Sequence, residues 1–389
     1  MRTPKYILPI IIIAQFCCTS LWFASNGVLS DLILNFKLNE NALSNLTSAV
    51  QFGFISGTLL FAILTITDRF SPSKVFFSAA LLGALCNALI LWQANSLLTL
   101  IIFRYLTGFF LAGIYPVGMK IAADYYDKGL GKSLGFLVGA LVLGTSFPHL
   151  LNGLKSFFSW QSVISTTSIL AVFGGFLMLI LVPNGPNRKQ NQQMDFSGFF
   201  KVFKNLEFRA AAFGYFGHMW ELYTFWAFVP LLLSTYQNMY QTTLNIPLLS
   251  FGIIAIGCIS CVLGGYISEK IGVKKTANFA LGLSACCCLA APLFFAIPST
   301  IIFICFLLFW GMVVIADSPL FSTLVAKSAD PELKGTALTI VNSIGFAITI
   351  ISIQFISTIK NSLTGNWFYM FLAIGPILGL LALTKPQKT

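Results

Sequence analysis

The sequence predicts an all-α integral membrane protein in which twelve transmembrane helices form two pseudo-symmetric six-helix bundles. Three observations carry this. First, the 389 residues are 57% hydrophobic and only 9% charged, with a mean hydropathy of +0.85. Soluble domains carry about 25% charged residues, so the bilayer must solvate most of this chain. Second, the apolar residues gather in twelve stretches of the length, about 20 residues, that a helix needs to cross a bilayer. Third, two charged loops recur at nearly one offset in the two halves.

Helix 1 is expected over 6–31. Its basic start, Arg2 and Lys5, imitates a signal peptide, but the apolar run continues past Leu21 with no small-x-small site to close it, so it reads as an uncleaved helix. Helices 2 and 3, over 44–67 and 74–94, flank the charged turn TDRFSPSK. Helix 4, 97–122, carries RYLTGFFLAG, and helix 5, 132–154, the glycine-spaced GALVLGTSFP. Helix 6, 162–182, runs into PNGPNRKQNQQMDFSGFFKVFKNLE, a polar connection with Pro and Gly. That segment divides the chain into an N-terminal bundle (1–182), a cytoplasmic linker (183–207) and a C-terminal bundle (208–389). Helix 7, 208–235, is aromatic-rich and contains GHMWELYTFW. Helix 8, 246–268, ends in GGYISEKIGVKK, and helices 9 to 12 follow over 276–296, 300–325, 336–359 and 366–384.

The net charge is +11. In a membrane protein the question is where the positive charges fall. An N-terminus in the cytoplasm assigns 18 of the 23 Lys and Arg to the cytoplasmic side and leaves Lys37, Lys155 and Lys360 outside, with Arg104 and Lys120 inside helices. The expected topology is a multi-pass protein of the cytoplasmic (inner) membrane with both termini inside. The basic excess is then a topology signal and not a nucleic-acid footprint. All nine cysteines fall in apolar stretches and read as small buried side chains; no metal site and no cofactor are expected.

The repeat is visible in the loops. An acid and a base end helix 2 at Asp68 and Arg69, and helix 8 at Glu269 and Lys270. The loops DKGLGKSLGF and PELKGTALTI then place Lys128 and Lys334 at a similar separation. On these residues the chain resembles the major facilitator superfamily of prokaryotic secondary transporters with twelve helices, over essentially its full length. The family's loop signature, G-x-x-x-D-R/K-x-G-R/K-R/K, is matched in the second copy by Gly265, Glu269, Lys270, Gly272 and Lys274. In the first copy Asp68 and Arg69 remain, while Leu64 and Ser71 stand where glycines are usual. Arg104 and Gly108 resemble the family's R-x-x-x-G pattern in helix 4. The resemblance implies that these loops gate the cytoplasmic side, that helices 1, 4, 7 and 10 line a central cavity, and that the chain works as a monomer.

Ionisable groups inside spanning helices are expensive and stand as functional candidates. Those on the four implied cavity helices are Asp31, Arg104, His218, Glu221 and Asp317; His149 on helix 5 and Asp31 read as structural. His218 and Glu221 lie at i and i+3, hence on one helix face, near the middle of helix 7. A carboxylate there costs several kcal/mol when charged and dry and much less when protonated or hydrated, and histidine titrates near neutrality. The pair suits proton coupling, with Asp317 across the cavity and Arg104 as a further candidate; the alternative is a neutral pair that fixes helix 7 against its neighbours. Trp22, Asn26, Tyr115, Tyr223, Trp226 and Trp310 are the candidate solute contacts.

The function expected is therefore secondary active transport of a small organic solute by alternating access, coupled to protons. The alternative within the class is proton-driven export of a drug-like amphipathic compound or a siderophore. A channel would want a repeated filter or charged ring, and an intramembrane enzyme an H-E-x-x-H, a G-x-G-D or a nucleophile–base pair; none is present, and no enzyme is expected. Substrate and direction are not legible. The charge bias makes a direct prediction: a label attached in the 236–245 connection will react with a membrane-impermeant reagent from outside whole cells, and labelling from the cytoplasm alone would overturn the topology.

Overall fold

The computed structural model describes residues 4–39, 41–126, 130–154, 159–188, 202–330, 334–360, 362 and 365–384, with the side chains of 68, 130–132 and 334 outside the description. Every regular element among the described residues is helical. The chain divides into two compact units, Met1–Gln193 and Met194–Thr389. Among the described residues ten helical runs are long and apolar enough to cross a membrane, and Ile7–Thr19 is a shorter apolar helix. With helix 1 and the 35-residue helix 7, Leu206–Tyr240, the described helices follow the order of the twelve expected. Large apolar side chains such as Ile169, Ile180, Phe279 and Leu293 point outward. Apolar exposure on this scale marks a surface meant for something other than water.

In the first unit helix 1 departs from the expected single run over 6–31. It is three pieces, Ile7–Thr19, Ala24–Gly27 and Leu29–Phe36. Helix 2 is Ala42–Ile63 followed by the short Ile66–Arg69. Helix 3 starts at Pro72, whose missing N–H would have been unpaired there in any case, and runs to Ala88. Helix 4 begins behind a capping box in which the Ser96 hydroxyl accepts from the Thr99 amide and Thr99 returns the bond, and it comes as Leu97–Leu111 and Tyr115–Tyr125. Helices 5 and 6 are Leu130–Gly153 and Trp160–Leu181. The start of the long connection is fastened to this unit: the Arg188 guanidinium donates to the Phe70 carbonyl at 2.8 Å and the Ser71 hydroxyl to Asn184 at 2.7 Å. Residues 189–201 of that connection lie outside the description.

In the second unit Asn205 caps helix 7 by accepting from the Glu207 and Phe208 amides. The helix then continues to Tyr240, five residues beyond the sequence expectation, so the connection to helix 8 is shorter than expected. Helix 8 is Ile246–Ala255 and Gly257–Ile271. Gly272, at φ +93°, makes the sharp turn into helix 9, Val273–Phe295. Helix 10 is Thr300–Ala316 and Ser318–Ser328, helix 11 is Lys334–Lys360, and helix 12 passes from the 3₁₀ turn Trp367–Ala373 into Ile374–Thr384.

The two units repeat at the level of individual contacts. A Cβ on Gly108 of helix 4 would collide with the Val50 carbonyl of helix 2, and one on Gly311 of helix 10 with the Ile253 carbonyl of helix 8. Both members of each pair are separated by 203 positions from their counterparts. The same offset relates Pro116 to Pro319, each the second residue of the second segment of its helix. A proline has no N–H for the carbonyl four residues back, so helices 4 and 10 break just before these two prolines. Substituting valine at either glycine drives a branched side chain into a backbone carbonyl. Gly108→Val and Gly311→Val are each expected to cost about 1–3 kcal/mol, read as a lowered thermal unfolding midpoint in detergent; an unchanged midpoint would show that these helix pairs are not in close contact.

Candidate functional site

Helix 7 brings His218 and Glu221 to the interior of the second unit, each 1% exposed. The two do not share a partner. Glu221 points to helices 9 and 10, where its Oε1 accepts from the Ser284 hydroxyl at 2.6 Å, the Cys288 thiol at 3.1 Å and the Trp310 indole N–H at 2.6 Å. His218 points to the break in helix 10, with its Nδ1 2.7 Å from Oδ1 of Asp317, which is fully buried. That contact is close but poorly aligned. Among the described residues neither His218 nitrogen nor either Asp317 oxygen makes a hydrogen bond of good geometry. The expected arrangement, a His218–Glu221 pair facing Asp317 across a cavity, is therefore corrected. Neighbouring positions on one helix face diverge because helices 9 and 10 offer each a different partner within reach.

Aromatic rings wall this region. Phe225 lies 4.5 Å from Trp310 between centroids, and Phe306 5.6 Å from it. The Tyr223 ring lies 5.3 Å from both Trp226 and Phe346. Tyr223, Trp226 and Trp310 are all buried. Helix 11 holds helix 7 from another side, where the Thr349 hydroxyl donates to the Met219 carbonyl at 3.0 Å and the Ser352 hydroxyl to the Trp220 carbonyl at 2.6 Å.

In the first unit Arg104 is fully buried and its guanidinium donates to the carbonyls of Leu21, at 2.9 Å, and Trp22. These two carbonyls belong to the break in helix 1, where the Leu21 carbonyl also accepts from the Ala24 amide at 3.4 Å. The 203-residue counterpart of Arg104 is Leu307, and helix 7, the counterpart of helix 1, is unbroken. The Trp22 ring packs 4.8 Å from Phe54 and edge-on, at 6.4 Å, to Tyr115. The Asn26 amide donates to the Thr47 hydroxyl at 2.8 Å. His149 is buried in helix 5. The 203-residue counterparts of His218 and Asp317 are Gln15 and Ile114, so at these places the first unit carries neutral side chains.

The loop-signature residues sit at helix ends. Arg69 is exposed and its Nε donates to the Thr65 hydroxyl at 3.0 Å; the side chain of Asp68 lies outside the description. Glu269, Lys270 and Lys274 are exposed, and a Cβ on Gly265 or Gly272 would meet nothing. Gly272 is thus required for its backbone angle and not for room. The sequence reading missed Ser284 and Cys288. It treated the cysteines as apolar filling, and Cys286 and Cys305 prove exposed while Cys288 holds the buried acid. The available signal was the i, i+4 spacing of Ser284 and Cys288, one turn apart on helix 9. Among the described residues no group of His, Cys, Asp and Glu could hold a metal ion.

The profile of the Major Facilitator Superfamily matches residues 11–353. The chain belongs to that superfamily. This transporter is 20% identical over 305 residues, 75% of its own length and 74% of the relative's, to the bicyclomycin resistance protein homologue of Haemophilus influenzae. It is 24% identical over 157 residues to the glycerol-3-phosphate transporter of Bacillus subtilis, covering 39% of this chain and 34% of that one. A mutant of the nucleoside transporter NupG matches in fold with a TM-score of 0.71, at 15% identity over 97% of this chain and 98% of that one. A bacterial homologue of the human lysosomal transporter Spinster, inward-facing and unoccupied, gives 0.64 at 15% identity, over 97% and 94%. The chain is a multi-pass membrane transporter.

Arg104 gives this transporter a testable structural dependence. Arg104→Leu removes the guanidinium donor from both carbonyls and leaves that of Trp22 without this partner, at about 1–3 kcal/mol, and is expected to lower the thermal unfolding midpoint in detergent. Arg104→Lys should recover only part of the loss, because an ammonium lacks the planar fork that reaches both oxygens. Equal stability of all three proteins would mean that the break in helix 1 does not depend on this side chain.

Proposed function

We propose that this protein moves a small organic solute across the cytoplasmic membrane by alternating access, coupled to protons, with Glu221 as the group that binds and releases the coupling proton. One observation carries the reading. A buried carboxylate in the middle of a 35-residue helix has a single oxygen that accepts from three donors on two other helices. Those donors favour the ionised form, while burial favours the protonated form. The balance depends on Ser284, Cys288 and Trp310 staying in reach, so a shift of helix 9 or 10 changes the proton affinity of the site. A charged carboxylate at that depth without its donors costs about 3 kcal/mol or more. Motion of the helices and proton uptake are then one event.

His218, Asp317 and Arg104 complete the ionisable set. Trp22, Asn26, Tyr115, Tyr223, Trp226 and Trp310 are the proposed solute contacts, and their aromatic character favours a solute with apolar area over a bare inorganic ion. Asp68, Arg69, Gly265, Glu269, Lys270, Gly272 and Lys274 are proposed to set the balance between inward-open and outward-open states, with both termini in the cytoplasm. A second reading, proton-driven export of a drug-like compound, is supported by the relative named for bicyclomycin resistance, which aligns over three quarters of the chain.

Thermal stabilisation by a panel of bicyclomycin, glycerol 3-phosphate and nucleosides, followed by transport in proteoliposomes, will identify the solute class. Glu221→Gln keeps size and hydrogen bonding but removes the titrating proton. It is expected to abolish solute accumulation driven by a pH gradient while sparing counterflow exchange, which needs no net proton movement. Asp317→Asn is expected either to do the same or, where Asp317 contacts solute, to weaken binding. Normal gradient-driven accumulation in the Glu221→Gln protein would remove that residue from the coupling role.

A further inference from the structure

Helix 10 has two defects at one place. Pro319 removes the N–H that would serve the Ile315 carbonyl, which instead meets the Asp317 amide and, at 3.6 Å, the Cys261 thiol of helix 8. Two residues before the proline, Asp317 separates Thr300–Ala316 from Ser318–Ser328. Aspartate at this position ordinarily turns back to accept from the first amides of the segment that follows, yet the Asp317 carboxylate makes no such cap. It reaches sideways to His218, 2.7 Å away, and both side chains are almost wholly buried. The backbone still bridges the break through the Phe321 amide, which donates to the Asp317 carbonyl at 2.9 Å. The second segment is thus hinged to the first by one residue and tied to helix 7 by the same residue's side chain.

The first unit supplies an internal comparison. Its helix 4 breaks at the corresponding place before Pro116, and its second segment, Tyr115–Tyr125, is 11 residues long, as is Ser318–Ser328. There the hinge residue is Ile114 and the counterpart of His218 is Gln15, so the break exists without the tie. The proline makes the hinge in both copies; the acid–imidazole contact is an addition peculiar to the second.

We propose that His218 and Asp317 are positioning residues, and that their contact is a proton-controlled tether that sets the angle of Ser318–Ser328 against helix 7. With one proton between them the two groups attract. With a second proton both are protonated, the attraction is lost and a buried imidazolium is left without a counter-charge, so the tether opens and the freed carboxyl group can turn toward the amides of its own segment. The groups facing Asp317 that bear on this are Glu221 of helix 7 and the Cys261 thiol of helix 8. Helix 9 brings Cys288, helix 10 itself has its next charge at Lys327, and the lysines of helix 11 stand at its two ends, Lys334 and Lys360. The tether goes beyond the coupling role given to Glu221 and rests on the transport reading only in that the hinge would serve the same cycle.

Hydrogen–deuterium exchange of the full-length protein in lipid nanodiscs tests this without a known solute. Amides of 318–328 in the natural protein are expected to exchange about tenfold faster at pH 5 than at pH 7.5 once intrinsic chemistry is corrected. The difference should vanish in Asp317→Asn and in the paired substitution His218→Gln with Asp317→Ile, which installs the first unit's residues and so retains a side-chain set that folds around the same break. It should persist in Glu221→Gln. A natural protein whose 318–328 exchange is indifferent to pH would overturn the tether while leaving the coupling role of Glu221 intact. Persistence of the pH effect in both Asp317 variants, or its loss in Glu221→Gln, would equally assign the effect to another group.

Discussion

With no water in the hydrocarbon core, each backbone and side-chain polar group of this protein must find its partner inside the protein. The places where helices are interrupted are therefore the places where side chains have been recruited to supply one. Helix 1 breaks, and Arg104 donates to two buried carbonyls at the break. Helix 10 breaks before Pro319, and the Ile315 carbonyl is met by the Asp317 amide and approached by the Cys261 thiol. Helix 7 does not break, and the position that would face such a break is Leu307. These polar side chains of the interior are, in this sense, a map of the backbone's irregularities, whereas others, such as Asn87 and Thr224, pair side chain to side chain between helices.

Glu221 and Asp317 stand apart from that map because they bring acceptors where the backbone already has them in excess. Glu221 is balanced by three donors converging on one oxygen from helices 9 and 10. Asp317 has a single close neighbour, His218. The first arrangement gives one carboxylate oxygen three donors for as long as two other helices keep their positions. The second is a close contact without a hydrogen bond of good geometry. Two buried acids in one unit thus differ in the number of donors around each.

The membership in the Major Facilitator Superfamily and the two-unit repeat agree in what they say about inheritance and change. Glycine–carbonyl contacts between helices 2 and 4 and between helices 8 and 10, and the prolines that follow, recur at one offset. The ionisable groups do not. Arg104 is matched by Leu307, His218 by Gln15 and Asp317 by Ile114, so the packing is shared between the units while these ionisable side chains are not.

The sequence alone determined what depends on composition and on distance along the chain. Twelve apolar stretches, the weight of lysine and arginine in alternate loops, and the recurring acid–base loop ends are properties of local hydropathy and charge, and the family resemblance follows from them. Helix 7 was legible as the element that carries ionisable residues. What only the tertiary structure decided is which groups meet. The i, i+3 spacing of His218 and Glu221 says that they share a face of a helix about 10 Å across, but that face is wide enough for one to reach helix 9 and the other the break in helix 10. The break in helix 1 was likewise illegible, since no proline marks it in the run from Leu21 to Phe36, and a side chain that donates to it belongs to an arginine 82 residues away in the chain. Hydropathy reports how a residue feels about lipid; it carries no information about the partner that another helix will bring.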